Sequence, residues 1–344
     1  MPDVSAPPGP AVVACDLTKE FDGRAVVRDL DLAIEDGAIV GLIGPSGCGK
    51  TTTVRLLAGL LSPSAGTASV FGRSATELSG AERAEIGYLP QTPALFPDLS
   101  VRENLSFHAS MYGLPLRRKR HLRRLLDWVE LTDDRRKRVR DISGGMQRRL
   151  ALAATLVHGP RLLFLDEPTA GIDPILRDKF WQEFRTMSDT GRTLVITTQY
   201  VGEASYCDLV GLLSDGELLM FDTPDNLRRA AFDGEVIDVT LRRPPSDTEI
   251  ERLAALPFVI GSIERERHDV LRIVVSDADA ALELISSALE EVGLDVVEAA
   301  EHQVDYDEAF VRVVERHRGA STAGGDGVAD GATDGAVAGR REER

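Results

Sequence analysis

Gly44-Pro45-Ser46-Gly47-Cys48-Gly49-Lys50-Thr51 fits the pattern G-x-x-x-x-G-K-[ST]. It follows residues 38–43, a short and almost wholly apolar run, and it precedes helix-forming sequence that begins near Thr51 and Thr52. Glycines let a backbone wrap a polyphosphate, so that amide N–H groups and a helix N-terminus face the anion. Lys50 reaches the β- and γ-phosphates of such a ligand, and the Thr51 hydroxyl can ligate Mg²⁺. A strand apolar on both faces belongs in the middle of a covered parallel sheet. Runs of the same kind recur at 85–89, 161–165, 193–198 and 209–213, separated by helical or loop sequence, which is an α/β pattern.

Working outward, the run 161–165 ends in Asp166-Glu167. An acid at a strand end beside a phosphate loop can bind Mg²⁺ through water, and the next acid points to where an attacking water lies. Upstream, 11–17 and 25–34 read as strands around the turn Phe21-Asp22-Gly23-Arg24. Between 99 and 157 strand signals vanish, leaving a helical insertion with helices expected at 101–111, 115–129 and 145–158. Asp215-Gly216 is a tight hairpin signal, and Thr223-Pro224 opens a helix over 226–231. The first domain is therefore expected over 11–233. From 235 to 318 the order βαββαβ and a closing helix at 306–318 suggest a small α+β ferredoxin-like domain. Residues 1–10 are expected to be a flexible start. Residues 319–344, with seven Gly, six Ala and no aromatic, are expected to be a disordered tail.

The 344 residues suit two domains, and 43 % hydrophobic with 28 % charged residues excludes a wholly disordered or fibrous chain. Fifty-six acids against forty bases give −16, which argues against a protein built to coat nucleic acid. Residues 117–140 run the other way. Eleven bases against four acids make +7 there and leave −23 on the remainder. This is either a basic face near anionic lipid or an acidic protein loop, or a solvated Arg-rich helix face. No run approaches the ~18–20 apolar residues of a membrane span, and the N-terminus lacks signal-peptide regions, so a cytoplasmic chain is expected. Cys15, Cys48 and Cys207 are read as small buried or half-buried thiols, and the six histidines have no ligand spacing.

Two further stretches narrow the reading: Ile142-Ser143-Gly144-Gly145-Met146-Gln147-Arg148-Arg149, and Asp166-Glu167-Pro168-Thr169-Ala170-Gly171-Ile172-Asp173-Pro174. With the phosphate loop they closely resemble the ATP-binding subunits of ABC transporters, over about residues 12–227. The resemblance implies a P-loop NTPase, with a RecA-like parallel-sheet core, an N-terminal antiparallel β part and the helical insertion. It also implies a head-to-tail dimer of ATPase subunits, the same or different, in which Ser143 and the N–H groups of Gly144 and Gly145 cap the γ-phosphate held by the other subunit's loop. ATP and Mg²⁺ are the implied ligands, with Thr51, Gln91 and Asp166 toward the metal. Glu167 would act as general base, with Lys50, Gln91 and Gln199 in the catalytic set. Phe21 would stack on adenine, Asp173 would lie at the dimer interface, and Gln91 would relay nucleotide state to a separate permease.

There are two departures from the family pattern. Met146 stands where Gln is common, and Gln199 stands where most members have His; its amide can donate to a phosphate but cannot titrate. Gln199-Tyr200, the stretch 92–105 and the extension after about 234 resemble drug exporters of the daunorubicin-resistance type, whose ATPase subunits sit on the inner face of the cell membrane. The competing reading is a soluble ABC-type ATPase of translation, iron–sulfur assembly or DNA repair. A single phosphate loop and an ordinary 116-residue interval between Lys50 and Asp166 argue against it. No nucleic-acid partner is expected.

Overall fold

The computed structural model describes residues 9–302 and 304–323. In chain order β1 (Val12–Phe21), β2 (Arg24–Ile34) and β3 (Ile39–Ile43) lead into α1 (Lys50–Leu57), then β4 (Ala65–Val70), β5 (Arg73–Ser74), α2 (Gly80–Arg83) and β6 (Ile86–Leu89). The helical insertion follows as α3 (Val101–Met111), α4 (Lys119–Trp128) and α5 (Gly144–Leu156). Next come β7 (Leu162–Asp166), α6 (Pro174–Asp189), β8 (Thr193–Thr198), β9 (Leu209–Ser214), β10 (Glu217–Asp222) and α7 (Pro224–Phe232). The second unit is β11 (Glu235–Leu241), α8 (Asp247–Ala254), β12 (Val259–Arg267), β13 (Val270–Val275), α9 (Ala278–Val292), β14 (Val296–Glu301) and α10 (Tyr306–Ala323).

The central sheet has the order β10-β9-β3-β8-β7-β6 and is parallel except for β10. Every residue of β3, β7 and β8 is buried, as a strand covered on both faces requires. The register aligns Ile43 with Thr198 and Asp166 with Thr197, so the C-terminal ends of three adjacent strands form one edge. In open α/β sheets that edge is where ligands bind. A separate antiparallel sheet, β2-β1-β4-β5, packs its apolar face with α1.

The sequence expectation left out β4, β5, α2 and α6. For α6 the signal was present: the Asp173 side chain accepts from Leu176 N (3.0 Å) and Pro174 occupies the first turn. Conversely, α4 starts at Lys119 rather than at 115. Arg118 is buried, and its guanidinium donates to the carbonyls of Leu114 and Ser106 (both 2.7 Å), closing a loop instead of a helical turn. Cys15 is exposed, in contrast to the buried Cys48 and Cys207.

The second unit is a four-stranded antiparallel sheet in the order β12-β13-β11-β14, which is the ferredoxin-like order. Ile237, Val239, Leu271 and Ile273 pack under α8 and α9. Helix α10 then returns to the first unit, where Tyr306, Ala309 and Val314 join the same core as Leu227 and Phe232 of α7. Arg228 lies over the Tyr306 ring (3.9 Å) and Arg312 over that of Phe232 (4.0 Å). Helix α10 runs to Ala323, five residues beyond the expected end; the rest of the expected tail, and residues 1–8 of the expected flexible start, lie outside the described residues. Among the described residues no helix is long and apolar enough to cross a membrane.

His108 and His158 are half-buried in the helical insertion, and burial lowers the pKa of both imidazoles. The folded chain therefore holds fewer protons than the unfolded one just below the ordinary pKa of ~6.5, so stability is complete above that pH and declines as pH falls through it. Thermal unfolding at pH 7.5 and 5.5 should show a lower Tm in acid. The drop should shrink in a His108→Gln/His158→Gln variant, whose neutral amides can keep the His158 contact to the Ile86 carbonyl (3.2 Å). An unchanged drop would refute this account.

Candidate functional site

The loop 44–51 joins β3 to α1, and its shape depends on glycine at two positions. A Cβ on Gly44 would lie 2.2 Å from the Leu213 carbonyl oxygen. Gly49, which caps α1 at φ 107°, would bring one to 2.6 Å from Val26 O. Lys50 is buried, with Nζ donating to the carbonyls of Gly44 (2.6 Å) and Pro45 (2.9 Å), so its ammonium is held across the loop. Pro45, Ser46 and Gly47 are exposed at the loop crest, whereas Cys48 is buried and burial pushes its thiol pKa up. Thr52 is half-buried in the first turn of α1.

Asp166, at the end of β7, has no exposed surface. Its Oδ1 accepts from Thr197 Oγ1 (2.6 Å) on β8 and from Thr51 Oγ1 (3.1 Å) on α1, while Oδ2 is buried without a partner. An unpaired carboxylate oxygen in a dry site is costly. Beside the Thr51 hydroxyl it offers the hard oxygen donors that Mg²⁺ takes, so these residues fit that ion. Glu167 follows in the left-handed region (φ 51°), rare for a non-glycine, and its N–H is held by both Thr197 O (3.1 Å) and Thr197 Oγ1 (3.0 Å). Its Oε1 accepts from Gln199 Nε2 at 2.6 Å. Glu167, Thr169, Ala170, Thr198, Gln199 and Tyr200 line a cleft of about 300 Å³.

Other candidate residues stand apart from this centre. Ser143 caps α5 by accepting from Met146 N (3.3 Å), with Ser143 and Gly144 exposed and Gly145 close to the Gly171 carbonyl. Met146 packs on the main core, while Gln147 Nε2 braces the loop ahead of the cap through the carbonyls of Val139 (3.2 Å) and Ile142 (3.3 Å). Gln91 is exposed and is tied through its backbone carbonyl rather than its amide. Phe21 is 46 % exposed at the end of β1 with Lys19 Nζ over its ring (5.2 Å). It does not line the neighbouring cleft of Arg24, Arg28, Gly47 and Asp215-Gly216. Among the described residues no group of three or more His, Cys, Asp or Glu is arranged to hold a metal.

Two residues were overlooked in the sequence. Arg148, on α5, is 8 % exposed and donates to the carbonyls of Gln91, Asp166 and Glu167, joining the segment after β6 to the end of β7. Burial lowers its pKa, against the opposing pull of Glu167 and Asp166. Glu203 is buried behind the cleft and accepts from Thr169 Oγ1 (2.8 Å) with Arg177 at 3.8 Å. Nothing in the sequence marked Glu203, whereas Arg148 sat inside the quoted 142–149 stretch.

Comparison with known proteins gives a consistent picture. The family model described as ABC transporter matches residues 27–170. A probable multidrug ABC transporter ATP-binding protein of Escherichia coli (strain K12) is 38 % identical over 70 % of this chain, which spans only 42 % of that protein's length. A daunorubicin resistance ATP-binding protein of Streptomyces coeruleorubidus is 37 % identical over 86 % of this chain and 93 % of its own length. The solved structure of a dimeric ATP-binding cassette in a post-hydrolysis state with ADP and Pi aligns with TM-score 0.57 and 25 % identity, over 62 % of this chain and 98 % of its own.

Replacing Arg148 with Ala should remove the donors from three carbonyls at once and lower the unfolding free energy by about 3 kcal/mol. Lys, a compact charge without the guanidinium fork, should recover only part of that. Denaturant midpoints of the three proteins measure it; an Ala variant as stable as wild type would show that the carbonyls need no donor.

Proposed function

The chain belongs to the family of ABC transporter ATP-binding proteins, and on that footing we propose that it binds and hydrolyses ATP to drive export through a separate membrane permease. The observation that carries this reading is the edge formed by Lys50, Thr51, Asp166 and Thr197, with the Glu167–Gln199 pair beside it. The backbone N–H groups of 44–51 and the start of α1 bind the phosphates, and Lys50 turns from its loop carbonyls to the β- and γ-oxygens. Thr51, Asp166 and Gln91 would hold Mg²⁺. When bound, that ion neutralises charge on the β- and γ-phosphate oxygens.

Glu167 takes the proton from the attacking water as the γ-phosphate departs in line. Gln199 orients the carboxylate and then donates to the phosphate, which an amide does without exchanging a proton. Ser143 and Gly144, exposed at the start of α5, and the half-buried Gly145 serve the nucleotide of a partner subunit, and Asp173 lies at that subunit interface. Phe21 receives the adenine ring once Lys19 moves aside. Tighter nucleotide binding in the closed dimer than in the open one supplies the work passed to the permease at the inner membrane face. Export, rather than import, is supported by the likeness to the daunorubicin resistance protein, which extends through most of the C-terminal unit.

Glu167→Gln should cut ATP turnover by roughly 10²–10⁴-fold while leaving nucleotide binding intact. Undiminished turnover would remove Glu167 as the base. The tagged variant, purified from native membranes with ATP present, should bring down a polytopic membrane protein in stoichiometric amount; ribosomes, scaffold proteins or DNA in its place would overturn the transport reading.

Position 199 allows a second test. Because Gln199 does not titrate, a Gln199→His variant should gain a step in ATPase activity near pH ~6.5 that the wild-type profile lacks. A wild type that already shows the same step would overturn the assignment of a non-titrating switch.

A further inference from the structure

The loop between α3 and α4 presents an apolar side chain to solvent on an ordered frame. Leu116 is 89 % exposed and Met111, at the end of α3, 68 %. The frame is built: Gly113 turns the chain at φ 71°, Leu114 N bonds Ala109 O (3.0 Å), and the buried Arg118 clamps Leu114 and Ser106 from the far side. Leu116 therefore projects from a loop whose base is closed by a buried guanidinium.

The cations come next. Arg117 and, on α4, Lys119, Arg120, Arg123 and Arg124 are exposed, while Leu122 and Leu126 turn into the core. Spacings of one, four and five residues put Lys119, Arg120, Arg123 and Arg124 on one helix face. Of the four acids in residues 117–140, all but the exposed Asp133 are engaged elsewhere. Asp134 pairs with Lys137 (2.7 Å), Glu130 with Lys179 (2.6 Å), and Asp127 accepts from Thr132. Among the described residues no carboxylate forms an ion pair with Arg117, Lys119, Arg120, Arg123 or Arg124.

We infer that the α3–α4 loop and the outer face of α4 bind an anionic lipid surface directly, with Leu116 entering the headgroup boundary and the four α4 cations facing lipid phosphates. Long basic stems lie along an interface while their heads stay in the polar layer. Charge partition favours lipid over an acidic protein loop. With −23 on the remainder of the chain, an extended anionic bilayer repels the rest of the protein on balance and so favours this orientation, whereas a local acidic loop gives no role to an exposed leucine. The contact is independent of the transport reading, since it requires no permease.

The test is co-sedimentation of the full chain with vesicles of phosphatidylcholine alone or with about 30 % phosphatidylglycerol. Partitioning should rise at least tenfold with the anionic lipid and fall in high salt. Each cation removed should weaken it about fivefold, so Arg120→Gln/Arg124→Gln should lose roughly 25-fold. Leu116→Ser should weaken it with the charge unchanged, and ATPase activity in solution should stay at the wild-type level in both variants. Equal binding to neutral vesicles, or variants that bind as wild type does, would overturn the proposal. So would vesicle binding that is absent while permease capture is lost in the Arg variant, which would make an acidic protein loop the occupant.

Discussion

A carboxylate with no exposed surface has to be compensated on both oxygens, and Asp166 imposes that constraint on the centre of this protein. One oxygen is satisfied by hydroxyls from two other elements, Thr51 on α1 and Thr197 on β8. The other is buried without a protein partner. Three strand ends must therefore stay in register to within a hydrogen bond, which the parallel pairing of β3, β8 and β7 supplies. Arg148 adds the restraint from outside the sheet, fixing the Asp166 and Glu167 carbonyls to the segment that carries Gln91. One side chain thus links that segment to the backbone of both acids.

The second unit is connected to the same centre by a short route. The turn Asp215-Gly216 between β9 and β10 bonds the phosphate loop, Gly216 N donating to Cys48 O (3.1 Å), and it also accepts from Arg28 N (2.8 Å). Arg318 of α10 pairs with Asp215 (3.0 Å) and lowers its pKa, and His317 contacts Glu217 (3.1 Å). These exposed pairs are worth little in stability. Their significance is positional, because the helix that closes the ferredoxin-like unit rests on the hairpin that supports the loop.

The local chemistry was legible because it is written in short spacings. The phosphate loop, the strand ending at Asp166 and the Ser143 cap each announce themselves within eight residues, and the βαββαβ order gave the second sheet without any site chemistry at all. What escaped was nonlocal. Arg148 reads as one more arginine of a helix until the fold brings Gln91, Asp166 and Glu167 around it, and Glu203 reads as a surface acid until Thr169 and Arg177 close over it. The start of α4 escaped for the same reason: Pro115 suits a first helical turn, but Arg118 is drawn to partners on the loop and on α3, Ser106 among them twelve residues back.

Glu167 shows how the sheet edge places a second acid beside the first. A non-glycine residue in the left-handed region costs on the order of 1–3 kcal/mol, and it persists only where surrounding bonds over-determine it. Here Thr197 does so twice, through its carbonyl and its hydroxyl, and the same hydroxyl donates to Asp166. One threonine therefore sets both acids: it completes the buried carboxylate and bends the chain after it, so that the next carboxylate leaves the sheet and meets Gln199 in the cleft. With an extended backbone at 167, successive side chains would alternate across the sheet, and the second acid would lie on the opposite face from the first. The strain is what brings both carboxylates to the same edge.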